Sequence, residues 1–137
     1  KDATYASYSK ALSLILNGAK IIGTNNDRIL AKPGGFEVGN GSVVDMFEYA
    51  ANQKSPRIGK PNRAILDLCF EYFCLKEDEI VLIGDNLETD IKLGYEQNIE
   101  TVLVQTGVHN KEDIERLKIY PTHVVNTLMD LVDYNFD

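Results

Sequence analysis

The sequence has few basic residues and no long apolar run. Lys and Arg number 14 against 21 Asp and Glu among 137 residues, so the formal net charge is −7. Because no basic cluster occurs, we expect neither nucleic acid nor an anionic membrane surface as a partner. No apolar stretch approaches the roughly 18 residues that a membrane-spanning helix needs, and the first residues lack the pattern of a secretory signal. These absences favour a soluble, cytoplasmic protein.

Cysteine and histidine are also scarce. The spacing of Cys69 and Cys74 matches no zinc-binding or redox motif, which favours ordinary free thiols in a reducing compartment. His109 and His123 are far in sequence from the acidic residues discussed below, and we expect both at the surface or in loops. With 44% hydrophobic residues the chain can bury a core, and its length fits one compact domain.

Apolar patterning predicts alternating strands and helices from residue 58 to the end. Strands are expected at 80–83, 101–105 and 123–125, and helices at 62–73, 88–98, 110–118 and 127–132. This alternation implies right-handed crossovers and a mostly parallel sheet, and therefore the α/β fold class. The run at 80–83 is continuously apolar, which is typical of a strand that is buried on both faces.

The first part of the chain has a different pattern. Helices are expected at 1–17 and 41–52, and a short strand at 20–24. Residues 28–40 contain Pro33 and several glycines, which favours a loop rather than a sheet element. Pro56 lies in a polar turn at 53–57 that separates this part from the alternating part.

Two acidic residues follow the strand at 80–83. Asp85 comes directly after Gly84, and Asp90 lies five residues later at the start of the next helix. Both carboxylates are expected at the carboxyl edge of the sheet, where open α/β folds bind ligands. Two carboxylates that are close together favour a divalent cation or a lysine between them. The structural alternative is that Asp85 makes only an Asx-type turn and Asp90 only caps the helix.

Lys60 lies in the sequence Gly59-Lys60-Pro61. Pro61 suits the first turn of a helix and keeps the preceding residue extended, so the ammonium group of Lys60 can point towards the same sheet edge. The alternative is a solvated lysine that precedes a helix.

The order of these motifs resembles a known family. Gly-Lys-Pro at 59–61, Gly-Asp-Asn-Leu-Glu-Thr-Asp at 84–90 and Gln-Thr-Gly at 105–107 resemble the second half of haloacid dehalogenase (HAD) superfamily phosphatases. The similarity is to the p-nitrophenylphosphatase-like and phosphoglycolate phosphatase-like branch, which carries a large α/β cap. It implies that Lys60 contacts the phosphoryl group, that Asp85 is a direct ligand of Mg²⁺, and that Asp90 supports it. Asn86 is a possible support for the metal or phosphate ligands, from outside their direct contacts, although a turn is the commoner role of such a residue.

The resemblance extends to most of the chain. Residues 1–56 resemble the carboxyl-terminal part of the cap domain, and residues 57–137 the second half of a three-layer, Rossmann-like HAD core. Asn25 and Asp27 would then lie at a turn of the cap, where they could contact substrate when the cap closes. A polar turn without ligand contacts is the alternative.

The sequence departs from the family pattern at the nucleophile. No Asp-x-Asp motif occurs in these residues, and the second motif, a strand that ends in Ser or Thr, is also absent. Residues 21–25 resemble that second motif superficially, but the Pro-Gly-Gly and Gly-Asn-Gly-Ser segments that follow favour the cap. We therefore expect the carboxyl-terminal portion of a phosphatase, inactive on its own because it lacks the aspartate that forms the phosphoenzyme.

Two functions remain open from the sequence. The first is a Mg²⁺-dependent phosphomonoester hydrolase that acts on small phosphorylated metabolites through an aspartyl-phosphate. The second is a non-catalytic α/β domain that binds a metal or a phosphorylated ligand. If the first strands of the sheet are missing, the exposed edge predicts low solubility or a homodimer.

Overall fold

The computed structural model describes residues 3–134 and residue 136. The helices and strands, in chain order, are α1 (Tyr5–Leu16), β1 (Ile29–Lys32), β2 (Gly35–Val38), α2 (Asn40–Ala51), α3 (Ala64–Phe73), β3 (Val81–Gly84), α4 (Lys92–Gln97), β4 (Glu100–Val104), α5 (Lys111–Leu117) and β5 (His123–Val125). A π-helical turn, Leu87–Ile91, leads into α4, and 3₁₀ turns occupy Glu77–Glu79 and Leu128–Leu131. Among the described residues, no helix has the length and apolar character that a membrane crossing requires.

Strands β3, β4 and β5 form a parallel sheet with β4 in the middle. The α/β class and the parallel sheet are thus confirmed. The buried strand is β4, in which Val102 and Leu103 are fully buried. Ile83 of β3 is 47% exposed, so the expectation that this strand is buried on both faces is wrong. The apolar run reflects hydrophobicity, whereas burial needs neighbours, and within the described residues β4 is the only strand that pairs with β3.

The helices of the α/β region cover one face of the sheet. Leu66 of α3 packs with Leu93 of α4 and with Ile99, while Leu87 and Ile91 of the π-helical turn pack against Leu103 of β4. The opposite face carries a smaller cluster of valines that packs against Leu131 and Tyr134 near the end of the chain. The π-helical turn is therefore anchored by side chains that are inaccessible to solvent.

Helices α1 and α2 form the first part of the chain. Thr4 caps α1, which begins at Tyr5; residues 1 and 2 of the predicted helix 1–17 lie outside the described residues. The two helices pack through Tyr8 and Phe47, whose ring centroids are 6.0 Å apart in an edge-on arrangement. The predicted helix at 41–52 corresponds to α2 and that at 62–73 to the shorter α3.

Two expectations for the first part are wrong. Residues 28–40 form an antiparallel hairpin, in which Pro33 and Gly34 are the centre of the turn and Gly34 has a φ of 85°. Proline followed by a residue with positive φ is the pattern of a type II turn, so the residues that suggested a loop instead connect two strands. Residues 20–24 form no strand; Gly23 alone pairs with Arg57 in an isolated parallel bridge.

This bridge joins the two parts of the chain beside the parallel sheet. The N–H of Gly23 donates to the carbonyl of Pro56 over 2.9 Å, and the N–H of Asn26 donates to the carbonyl of Lys60 over 3.2 Å. Gly59 permits the approach, because a Cβ atom there would lie 1.6 Å from the carbonyl oxygen of Thr24. The pairing carries Asp27 to the carboxyl end of β3.

Candidate functional site

Lys60 and Asp90 form an ion pair at the carboxyl end of β3. The Lys60 Nζ lies 2.5 Å from Oδ1 of Asp90, whose side chain is 10% exposed. The other oxygen of Asp90, Oδ2, accepts a hydrogen bond from the N–H of Asn86 over 3.2 Å. Gly84 permits this position, since a Cβ atom on it would lie 2.3 Å from Cβ of Asp90. The predicted convergence of Lys60 and Asp90 is present.

Asp85 is held by a loop that follows β4. Its Oδ2 accepts a hydrogen bond from the N–H of Val108 over 2.9 Å, and its carbonyl accepts one from the N–H of His109 over 3.0 Å. Asp85 does not make an Asx turn, and Asp90 does not cap the helix. The side chain of Asn86 caps the π-helical turn instead, because it accepts a hydrogen bond from the N–H of Glu88. Within the described part of the chain, Oδ1 of Asp85 has no hydrogen-bond partner, so it can accept a ligand.

Asp27 reaches this site from the first part of the chain. Its Oδ1 accepts hydrogen bonds from the hydroxyl of Thr89 over 2.7 Å and from the side-chain amide of Asn86 over 3.3 Å. Asn25 makes a turn instead, since its Oδ1 accepts from the N–H of Asp27 over 3.2 Å. Of the two residues expected at the cap turn, Asp27 contacts the acidic site, and Asn25 shapes the loop that presents it.

The charges around Lys60 determine its protonation. Burial alone would lower the pKa of Lys60, but the hydrogen bond to Asp90 and the negative charges of Asp90, Asp27 and Asp85 outweigh it and raise the pKa above its ordinary value. The ammonium group is therefore protonated throughout the neutral range. A cation fixed among carboxylates can bind one oxygen of a phosphoryl group while the rest of the charge is met by a metal.

A small cavity lies next to the candidate site, although none of Lys60, Asp85 and Asp90 lines it. Its volume is about 290 Å³, and its lining includes polar and charged side chains from both parts of the chain. Asn26 and Arg28 come from the first part; Asn86, Glu88 and Lys92 come from the second. Arg28 and Glu88 form an ion pair of 2.5 Å at this cavity. The rest of the lining includes apolar side chains such as Leu117 and Ile119, so the cavity suits a small molecule with both polar and apolar groups.

His109 lies in a loop, as expected, but the sequence did not indicate that it is buried. It is 7% exposed rather than at the surface, and its Nδ1 accepts a hydrogen bond from the N–H of Leu87 over 3.1 Å. Burial lowers the pKa of His109, because desolvation disfavours the imidazolium. The feature of the sequence that could have indicated this burial is the position of His109, two residues after Gly107 in a loop that follows a buried strand of the sheet.

The carboxylate oxygens of Asp85 and Asp90 supply only part of the coordination shell that a hard cation needs. In the described residues, no cluster of three or more His, Cys, Asp and Glu side chains is arranged to hold a metal. Asp85 nevertheless keeps Oδ1 without a hydrogen bond among the described residues, and the charges of Asp85 and Asp90 both act on Lys60. Mg²⁺ commonly takes one or two carboxylates and completes its shell with water and substrate phosphate. The site is thus compatible with Mg²⁺, which would need further oxygen ligands from outside these side chains.

Comparison with known proteins identifies the family. Residues 57–131 match the hydrolase family model described as "HAD-hyrolase-like". The chain belongs to this HAD-like hydrolase family. The resemblance to the carboxyl-terminal portion of HAD-superfamily phosphatases is thereby confirmed.

Similar proteins include named phosphatases. The chain is 35% identical over 130 residues to dihydroxyacetone phosphatase of Corynebacterium glutamicum, an alignment that covers 95% of the chain and 47% of that enzyme. It is 34% identical to acid sugar phosphatase of Staphylococcus saprophyticus, covering 96% and 51% respectively. The crystal structure of 4-nitrophenylphosphatase from Thermotoga maritima aligns with a TM-score of 0.83 and 32% identity, covering 98% of this chain and 52% of that one. The chain thus spans about half the length of these HAD relatives.

Proposed function

We propose that this chain contributes the lysine and the metal-binding acids of a Mg²⁺-dependent phosphomonoester hydrolase. The observation that carries the proposal is the convergence of Lys60, Asp85 and Asp90 at the carboxyl end of β3. The named phosphatases among the similar proteins support the reaction class. The nucleophilic aspartate, which forms an aspartyl-phosphate, would come from residues outside 1–137, since no Asp-x-Asp motif lies within them.

Each side chain has a defined role in this proposal. Lys60 binds a phosphoryl oxygen and holds Asp90 in place through their ion pair. Asp85 is the direct metal ligand through Oδ1, because Val108 already occupies Oδ2. Bound Mg²⁺ would neutralise charge on the phosphoryl oxygens, which is the main requirement of phosphoryl transfer. The buried side chain of Asn86 orients this turn rather than binding the metal.

The same proposal assigns the two parts of the chain to two domains of the phosphatase. Residues 1–56 would be the carboxyl-terminal part of the cap, and residues 57–137 the second half of the core. The start of the family match at residue 57 supports this division. Asp27 would then couple the cap to the site through its bonds to Thr89 and Asn86, and Asn25 would shape the loop that approaches the substrate.

The proposed substrates are small phosphorylated metabolites. The cavity next to the candidate site has a volume of about 290 Å³ and is lined by basic, acidic and apolar side chains, which suits a leaving group of a few carbon atoms with polar substituents. The names of the relatives, dihydroxyacetone phosphatase and acid sugar phosphatase, agree with such substrates.

We place the activity in the cytoplasm, and we propose the exposed edge of β3 as the surface through which two copies would pair.

Phosphate binding and p-nitrophenyl phosphate hydrolysis test the proposal. We expect the chain to bind inorganic phosphate with Mg²⁺ present, and Lys60→Met to weaken that binding at least about tenfold, since a charge-assisted bond is lost. Lys10→Met, an exposed lysine of α1, is the matched control. Hydrolysis by the 15.3 kDa chain itself is expected to be absent. Mg²⁺-dependent turnover by material of that mass would contradict the placement of the nucleophile outside these residues.

A non-catalytic phosphate-binding or metal-binding domain is the second candidate. The observation that favours it is the absence of an Asp-x-Asp motif from the 137 residues. The gene sequence that encodes residues preceding Lys1 separates the two functions. An apolar strand ending in Asp-x-Asp supports the hydrolase, and a preceding sequence without one supports the binding domain.

A further inference from the structure

His109 connects two loops at the candidate site. Its imidazole is 7% exposed and accepts, at Nδ1, a hydrogen bond from the N–H of Leu87, which begins the π-helical turn. The first N–H groups of a helical turn have no partner within the turn and need an acceptor from elsewhere. Asn86 supplies one for Glu88, and His109 supplies the other from a residue distant in sequence.

The bond fixes the chemical form of the ring. A nitrogen that accepts a hydrogen bond carries no proton, so His109 is neutral and its proton lies on Nε2. The lowered pKa of the buried ring agrees with this form. Any replacement that keeps the contact must therefore place an acceptor where Nδ1 lies.

Three contacts from the loop at 107–109 hold the segment that begins with Asp85. The N–H of Val108 binds the carboxylate, the N–H of His109 binds the backbone carbonyl of Asp85, and the ring of His109 binds the N–H of Leu87. Gly107 lies so close that a Cβ atom there would be 1.8 Å from Oδ2 of Asp85. Only the contact made by the ring depends on the identity of a side chain in this loop.

We propose that His109 is a positioning residue for metal binding: its ring fixes the Asp85–Leu87 turn and so sets the direction in which Asp85 presents Oδ1. The inference rests on the proposed function, since it concerns the same metal site. Without the ring, the N–H of Leu87 loses its acceptor in a buried place, and the turn must move to satisfy it. Residues that orient a metal ligand without touching the metal typically change its affinity about 10- to 100-fold when replaced.

Two replacements of His109 separate positioning from simple packing. His109→Leu removes the acceptor, whereas His109→Asn retains an oxygen close to the position of Nδ1. We expect His109→Leu to speed hydrogen exchange of the Leu87 amide and to weaken Mg²⁺ binding about 10- to 100-fold. His109→Asn should restore most of both properties. His123→Leu is the control, because it removes the chain's other histidine, which binds Glu100 and Tyr134 instead.

Mg²⁺ affinity by calorimetry and amide exchange by NMR give distinguishable outcomes. Wild-type Mg²⁺ affinity in His109→Leu, with faster exchange at Leu87, would overturn the positioning role alone. An affinity loss that His109→Asn does not restore would also overturn it, since packing would then explain the loss. Absence of Mg²⁺ binding by the wild-type chain would overturn the proposed function and this proposal together. If His109→Leu does not fold, His109→Asn against His109→Gln decides, because glutamine places its oxygen beyond the Nδ1 position.

Discussion

The ammonium nitrogen of Lys60 lies 2.5 Å from Oδ1 of Asp90, across 30 residues of sequence. The carboxylate is 10% exposed and the lysine side chain 42% exposed, so solvent screens only part of their attraction. The pair joins the loop that precedes α3 to the π-helical turn that precedes α4. It is therefore both a structural contact and the centre of the candidate site.

Lys60→Met should lower the stability of the chain, because it leaves the carboxylate of Asp90 buried without its cation. The expected loss in the free energy of unfolding is about 1–3 kcal/mol, as for a buried acceptor that loses a charged donor. Urea denaturation followed by circular dichroism measures it. Lys10→Met, an exposed lysine that forms no ion pair with any residue the structure describes, should change stability by less than about 0.5 kcal/mol. Equal stability of the two variants would show that the pair contributes nothing.

Glu48 of α2 makes stability depend on acid pH. Its side chain is 4% exposed, and the pKa of its carboxyl is lowered from 4.5 to about 2, first by the hydroxyl of Ser55 and then by Lys54, with Arg57 also bonded to it. A folded-state pKa below the unfolded value adds stability that is present above the unfolded pKa and is lost as pH falls. We therefore expect stability to decline between about pH 4.5 and 2.

Glu48→Gln should remove much of that decline. The variant should also be less stable at neutral pH, by an amount on the order of 3 kcal/mol, because Arg57 loses its buried partner. Glu115→Gln, an exposed acid of α5, is the control and should keep the wild-type pH profile. Thermal denaturation at several pH values tests both. A Glu48→Gln profile that parallels wild type through the acid range would contradict the assignment.

Gly107→Ala should displace Asp85, because the added Cβ would meet Oδ2 of that residue at 1.8 Å. Gly94→Ala is the control, because it introduces a similar clash with a different residue: its Cβ would lie 2.2 Å from Cγ2 of Thr101. Both variants should lose about 1–3 kcal/mol of stability. Only Gly107→Ala should also lose Mg²⁺ affinity, at least about tenfold. Calorimetric titration at a temperature where both are folded separates the effects, and equal affinities would count against Asp85 as a ligand.

Asp27→Ala should loosen the contact between the hairpin region and the site. It removes the acceptor for the hydroxyl of Thr89 and the amide of Asn86, which should cost about 1–2 kcal/mol. Asp27→Asn keeps an acceptor oxygen and should recover part of this loss. Chemical denaturation gives the comparison. If both variants match wild type, the contact does not join the two parts of the chain.

The α/β region was predictable because its patterns are local. Alternation of apolar runs and amphipathic segments gave β5 at its observed residues and placed β4 within one residue. Asp85 directly after Gly84, Asp90 five residues later and the Gly-Lys-Pro sequence indicated which side chains would meet. Parallel strands place their carboxyl ends at one edge, so the convergence followed from the topology.

The errors come from contacts between distant residues. The hairpin at 29–38 depends on Pro33 and Gly34 acting as a turn rather than as breakers, which only the pairing of the flanking strands reveals. The sequence did not indicate the burial of this loop histidine, His109, because its partner Leu87 lies 22 residues earlier. The exposure of Ile83 depends on which neighbours β3 has, and strand hydrophobicity does not report that.

An NMR titration of the ¹⁵N-labelled chain with Mg²⁺ tests directly whether Asp85 and Asp90 form a metal site. We expect saturable shifts of the amides of Asn86 and Val108, which bond to the two acids, and loss of these shifts in Asp85→Asn. Asp133→Asn, an exposed acid near the end of the chain, should titrate as wild type. No shift at Mg²⁺ concentrations up to tens of millimolar, or unchanged shifts in Asp85→Asn, would contradict a metal site at Asp85 and Asp90.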